Sequence, residues 1–158
     1  MAIRLSQICD LDGINALLYQ VAAVHHNGRP DLFRAGCKKY TDEELCILIE
    51  QEQDTRPIFV YEEDGRVLGY AFCMLMDYSD EHVLSPIKSL YIDDLCVNEN
   101  CRGKHIGTKL FDFVKAYAKE IGCYNVTLNV WCCNPGAMAF YESLGLKPQK
   151  IGMEMILE

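Results

Sequence analysis

No stretch of this chain approaches the ~18 consecutive apolar residues that a membrane-spanning helix needs, so a membrane protein of that kind is not expected. A basic surplus is also missing. The formal net charge is −8, which argues against non-specific binding to nucleic acid or to an anionic membrane and mildly favours a cationic partner. The opening Met1-Ala2-Ile3-Arg4-Leu5-Ser6 has no basic segment followed by a long apolar run, the pattern of a secretory leader, and a cytoplasmic location is the expectation. The nine cysteines include no Cys-x-x-Cys pair, and their number is odd. The vicinal Cys132-Cys133 is badly placed for an unstrained disulfide. Neither a metal centre nor a disulfide scaffold is expected, and buried reduced thiols fit best. Repeats, linkers and low-complexity tracts are absent as well. What is plentiful is apolar residues, 50% of 158, enough for a single domain over 1–158 with one core.

Hydrophobic spacing divides the chain into elements. Ile3 to Ser6 reads as a short strand. Ile14, Leu17, Leu18, Val21 and Val24 lie at helical spacing within Leu11 to Val24, and His25-His26-Asn27-Gly28-Arg29-Pro30 is expected to break that helix. Thr41-Asp42-Glu43-Glu44 has the form of a capping box ahead of a helix carrying Leu45, Leu48 and Ile49. Pro57 to Tyr61 and Val67 to Asp77, joined by a turn at Glu62-Glu63-Asp64-Gly65-Arg66, read as a hairpin. After a polar loop over Tyr78 to Pro86, Ser89 to Val97 is a strong strand. Ile106, Leu110, Phe111, Val114, Tyr117 and Ala118 give an amphipathic helix stopped by Gly122. Tyr124 to Trp131 reads as a strand. Asn134 and Pro135 open a last helix, Gly145 closes it, and Lys147 to Leu157 is expected to end in a strand. Hairpins combined with one strand-helix-strand crossover predict an α/β (α+β) fold, a mixed and mostly antiparallel sheet flanked by helices.

Two segments carry chemistry. The loop Arg102-Gly103-Lys104-His105-Ile106-Gly107-Thr108 joins an apolar strand to a helix. Main-chain N–H groups at a helix N-terminus suit a phosphate, Gly103 and Gly107 permit close approach or positive φ, and Arg102 and Lys104 add cationic reach. The loop lacks the Gly-Lys-Ser/Thr ending of an ATP-type phosphate loop. Further along, Asn134 and Tyr141 sit two helical turns apart on one face, with the small Ala137 between them. A phenol there can protonate a departing thiolate, and an amide can hold an amide-bearing ligand. The plain structural alternative is an N-cap and a half-buried tyrosine.

Together, Leu95-Cys96-Val97, the 102–107 loop and Asn134…Ala137…Tyr141…Gly145-Leu146 resemble the GNAT superfamily, the GCN5-related N-acetyltransferases, over residues 87–146. The family loop runs [Gln/Arg]-x-x-Gly-x-[Gly/Ala]; Arg102 and Gly107 fill its outer positions, and His105 stands where glycine is usual. The resemblance implies acetyl-coenzyme A as donor and a primary amine as acceptor, attacking directly in a ternary complex. It implies that backbone groups of Leu95, Cys96 and Val97 meet the pantetheine arm and orient the thioester carbonyl. The N–H groups from Arg102 through Gly103, Lys104, His105, Ile106 and Gly107 to Thr108 would hold the pyrophosphate, Asn134 and Ala137 would line the arm, and Tyr141 would be the general acid. Tyr91 to Val97 is also similar to the matching strand of diamine and thialysine acetyltransferases, where an acidic residue at the position of Asp93 deprotonates the amine through water. Asp93 is therefore the first candidate base and Asp94 the second; strand alternation predicts that they point to opposite faces. His25, His26, Tyr78, Asp80 and Glu81 are weaker acceptor-side candidates, and Trp131 is expected in the core. A small cationic amine is the expected acceptor. A peptide N-terminus is the closest alternative, and a non-catalytic acyl-coenzyme A sensor is the alternative of another class. A homodimer is permitted by the resemblance and by the apolar C-terminal stretch.

Overall fold

The computed structural model describes residues 1–158. Five strands form one sheet in chain order: β1 (Ala2–Leu5), β2 (Ile58–Glu63), β3 (Arg66–Asp77), β4 (Lys88–Val97) and β5 (Asn125–Leu128). The first three pairings are antiparallel, and β4 pairs with β5 in parallel. The helices are α1 (Leu11–Gly28), α2 (Asp42–Gln51), α3 (Ile106–Glu120) and α4 (Pro135–Ser143). This is the mixed, mostly antiparallel α/β sheet that the sequence predicts.

Strand alternation feeds two layers. Ile58 and Val60 of β2 join Tyr70 and Phe72 of β3 beneath Ile14, Leu17 and Leu18 of α1 and Leu45, Leu48 and Ile49 of α2. Phe59 faces the opposite way, with Ala71, Cys73, Leu90 and Ile92, against Phe111, Val114 and Ala118 of α3. Gly69 lets α3 come down on the sheet: a Cβ there would lie 2.9 Å from Leu110 Cδ1 and 3.1 Å from the Cys96 carbonyl oxygen. The capping box forms, with the Glu44 N–H donating to Thr41 Oγ1 at 3.1 Å and the Thr41 N–H to Glu44 Oε2 at 2.8 Å.

Several expectations change. The first helix does not break at His25 but continues to Gly28; its last turn packs so closely that a Cβ on Gly28 would lie 2.7 Å from Cys133 Sγ. The strand read over Tyr124 to Trp131 is only Asn125–Leu128, because its partner diverges. Only Cys73 and Cys96 are buried, whereas Cys9, Cys37, Cys132 and Cys133 are exposed and all nine thiols are free. Residues 147–158 form no strand within the chain. No helix is long and apolar enough to cross a membrane.

Candidate functional site

The parallel pair opens partway along. Its register runs from Ser89↔Asn125 to Ile92↔Leu128 and stops there, although β4 continues to Val97. On the β5 side, the backbone of Leu95, Cys96 and Val97 is therefore left without a strand partner. The cause lies on the opposite edge of β4, where Phe72 pairs with Asp94 but the next residue, Cys73, pairs with Ile92. Asp93 is the extra residue of a bulge, and a bulge bends its strand and increases the twist.

The same bulge reverses the expected placement of the two carboxylates. Asp93 accepts from the Tyr40 hydroxyl at 2.6 Å and from Lys39 Nζ at 2.7 Å. Asp94 accepts from the Tyr70 hydroxyl at 2.6 Å. Both phenol rings pack on Phe72, Tyr40 stacked at 5.3 Å and Tyr70 edge-on at 4.8 Å, so Asp93 and Asp94 face the same α1/α2 layer. The apolar row records the shift: Leu90 and Ile92, then Leu95, face the α3 layer. That change from even to odd positions was the one sequence signal that could have revealed the bulge. Burial pushes the Asp94 carboxyl up to about 6, against the opposing hydrogen bond from Tyr70. The Tyr70 phenol is raised well above its ordinary value by burial and by the Asp94 charge. Cys96, pushed up to about 12 by burial and then by Asp94, is an inert thiol whose S–H donates to the Leu17 carbonyl at 3.6 Å.

Both parallel strands lead into helices whose N-termini flank this opening. The α3 cap, His105, offers no side-chain hydrogen bond, so the N–H groups of Ile106, Gly107 and Thr108 lack intrahelical acceptors, an arrangement whose chemistry suits an anion. Gly103 has φ +82° with open space around it, whereas Gly107 is helical and lets Phe140 of α4 approach: an added Cβ would lie 3.1 Å from Phe140 Cζ. Arg102 and Lys104 are exposed. His105 sits in the left-handed region at φ +58°, which costs a residue with a Cβ roughly 1–2 kcal/mol relative to glycine. His105→Gly is accordingly expected to stabilise the fold by up to about 1 kcal/mol, after the greater freedom of glycine in the unfolded chain is subtracted. Thermal unfolding checks this; an unchanged or lower midpoint would mean that the imidazole makes a compensating contact.

At the α4 N-terminus, Asn134 Oδ1 accepts the Ala137 N–H at 3.2 Å, leaving the amide NH2 free for a ligand. Tyr141 is half-buried, and its phenol is raised by burial and then by the charges of Asp94 and Cys96. Asp94 and Cys96 thus lie near enough to Tyr141 for their charges to act on its phenol, and Gly107 at the α3 N-terminus packs on Phe140, the residue before it.

Sequence reasoning missed the segment between α1 and α2, whose polar composition carries no motif. It packs onto the end of the β4 and β5 region, with Lys39 and Tyr40 on Asp93 and Phe33 edge-on to Trp131 at 5.1 Å. Trp131 is 44% exposed, so it is not a core residue. His25 packs on Phe33 at 5.0 Å, and His26 Nδ1 donates to the Phe33 carbonyl at 2.7 Å, so both histidines anchor this segment. Burial and the neighbouring Lys39 lower the His25 pKa. Asp80 and Glu81 are exposed in the loop before β4.

Comparison with known proteins gives concordant results. The sequence profile of the acetyltransferase (GNAT) family matches residues 23–146. Glucosamine 6-phosphate N-acetyltransferase of Arabidopsis thaliana is 30% identical over 118 residues, 72% of this chain and 75% of the plant enzyme. A crystal structure of a mutant BH1408 protein from Bacillus halodurans superposes with a TM-score of 0.93 at 29% identity, covering 100% of both chains. The crystal structure of the Arabidopsis enzyme superposes with a TM-score of 0.67 at 25% identity, covering 99% of this chain and 98% of that one.

Proposed function

Because this chain belongs to the GNAT family of acetyltransferases and is an acyltransferase, we propose that it transfers an acetyl group from acetyl-coenzyme A to a primary amine of a small cationic molecule. The observation that carries this reading is the opening of the β4–β5 pair beyond Ile92↔Leu128, which leaves strand backbone free beside an uncapped helix N-terminus. An amide-bearing arm joined to a diphosphate has the chemistry to fit both: the arm meets Leu95, Cys96 and Val97 as a neighbouring strand would, and the diphosphate meets the N–H groups at 106–108. The donor supplies a thioester; the remaining steps belong to the chain.

Asp93 holds an ammonium in this structure, that of Lys39, and the acceptor ammonium takes that place. An ammonium has no lone pair, so a base must remove its proton before attack. Asp94, close enough to Tyr141 and Cys96 for its charge to raise both, is the better placed of the two carboxylates for that task. Free N–H groups of β4 stabilise the developing oxyanion. Tyr141 donates to the departing thiolate. Two carboxylates on one wall suit an ammonium-rich acceptor better than a phosphorylated one.

The test is release of free coenzyme A thiol with a panel of diamines, polyamines, aminoglycosides, amino acids, short peptides and glucosamine 6-phosphate. Amine-dependent release, fastest with diamines or polyamines, is the expected result. Fastest release with the sugar phosphate or a peptide would overturn the acceptor class. Tight coenzyme binding with no amine-dependent release would indicate a sensor instead.

A further inference from the structure

Trp131, the only tryptophan of the chain, lies just past the end of β5 and is 44% exposed. Its orientation is nevertheless fixed. Phe33 meets the indole edge-on at 86°, His25 packs on Phe33, and the His26 ring is hydrogen-bonded to the Phe33 carbonyl. The indole is therefore held in place and still open to solvent.

The strands say where it stands. Leu90 and Ile92 of β4 and Val126 and Leu128 of β5 face the α3 layer. Tyr91 and Asn129 face the other way, where the Asn129 amide donates to the Tyr91 hydroxyl at 3.2 Å. Trp131 has the same parity as Asn129. It meets Phe33 of the α1–α2 segment, whose Lys39 and Tyr40 cover Asp93 on that face. Trp131 and Asp93 thus share one face of the sheet and flank the opening between β4 and β5. The charge of Lys39 also reaches His25 behind the stack. Carrying the register past Ile92↔Leu128 places Trp131 opposite Leu95, beyond the level of Asp93. With ~3.3 Å per residue along a strand and ~4.8 Å between strands, the two backbones are separated by about 8 Å or more.

We propose that Trp131 is a second recognition point for the acceptor: its indole holds the distal ammonium of a diamine whose reacting amine lies at Asp93. The inference rests on the acyl-transfer reading above and narrows its acceptor to a molecule with two cationic ends. Indole is the aromatic ring that attracts cations most strongly. The surroundings favour positive charge as well. Gly28 touches Cys133, close after the indole in the chain, and the adjacent Arg29 is shared by two carboxylates, Asp31 and Glu154, so one negative charge stays unbalanced. A carboxylate and an aromatic ring already hold a cation on this face: Lys39 Nζ lies 2.7 Å from Asp93 and 5.7 Å from the centre of the Tyr40 ring. A monoamine gains only the Asp93 end, whereas a diamine with a reach of about 8 Å gains both.

A single tryptophan makes the site its own reporter. Titration of the full chain with cadaverine, without acetyl-coenzyme A, is expected to change the indole emission saturably, at concentrations roughly tenfold below those that pentylamine requires. In the Trp131→Leu variant, kcat/KM for cadaverine relative to pentylamine should fall about tenfold, through KM, while thermal unfolding stays cooperative. Equal losses for both amines would make Trp131 an apolar or structural contact and overturn the proposal. So would calorimetry that detects no cadaverine binding, or binding that leaves the emission unmoved. An emission response to cadaverine without release of coenzyme A thiol would support this site and count against acyl transfer; thiol release with unmoved emission would do the reverse.

Discussion

Tyr141→Phe is expected to lower turnover by roughly 100-fold while leaving coenzyme A affinity within about twofold. A positioned proton donor contributes about 10²–10⁴, and this phenol belongs at the lower end. Burial and the nearby Asp94 and Cys96 raise its pKa above the ordinary phenol value, so it stays protonated at neutral pH, but it is a weaker acid than the thiol it serves, near 8.5. Complete proton transfer to the thiolate is uphill; the useful effect is a hydrogen bond that strengthens as charge gathers on sulfur, an interaction made in the transition state and not before. Phenylalanine keeps the ring, which lies 5.1 Å from Phe140, and removes only the donor. The loss should therefore fall on kcat, not on binding. Stopped-flow thiol release together with calorimetry of coenzyme binding separates the two. Unchanged turnover would remove Tyr141 from the chemistry, and a large loss of affinity would make it a binding residue.

Elements specified by local chemistry were legible, and features that depend on how strands meet were not. Asp64-Gly65 could be read as a hairpin turn because both residues adopt positive φ, +52° and +73°, which this residue pair favours. Thr41…Glu44 and Asn134-Pro135 could be read as helix starts because a cap is a contact over three residues. The bulge at Asp93 carries no glycine or proline, and its only trace is the apolar row changing parity between Ile92 and Leu95. Without the bulge, Asp93 and Asp94 would be divided between the two faces; with it, they form one acidic wall. The α1–α2 segment was illegible for a related reason. Its contacts with Asp93 and Trp131 join residues far apart in the chain, and no period or cap records such a meeting. The C-terminal tail has the alternation of a strand, but no strand forms over residues 147–158, because alternation alone supplies no hydrogen-bonded neighbour.

Asp94→Asn separates the chemical role of this carboxylate from its cost to the fold. In the folded protein, burial raises the Asp94 carboxyl from 3.8 to about 6. A group whose folded pKa exceeds its unfolded value contributes stability that is full below the unfolded pKa and is lost as pH rises through the folded one. The wild-type protein should therefore lose about 2–3 kcal/mol between pH 4 and pH 7 on account of this residue. The Asn variant, whose Oδ1 can still accept from Tyr70, should lack that slope and be the more stable form at pH 7. Catalysis should move the other way. If Asp94 takes the proton from a bound ammonium, kcat/KM for the wild type rises with pH through about 6, where the carboxyl ionises, and falls near the amine's own pKa as free ammonium is depleted. The variant must rely on amine that is already neutral in solution, so its rate at pH 7 should drop by about 100-fold or more and climb steadily toward the amine pKa. Denaturant unfolding and kcat/KM, each followed across pH 4–10, give both curves. A variant that gains stability yet keeps the wild-type rate profile would leave Asp94 a buried structural carboxyl, with Asp93 the remaining candidate for the base. A variant that loses both stability and rate would mean that the charge itself holds the cleft together.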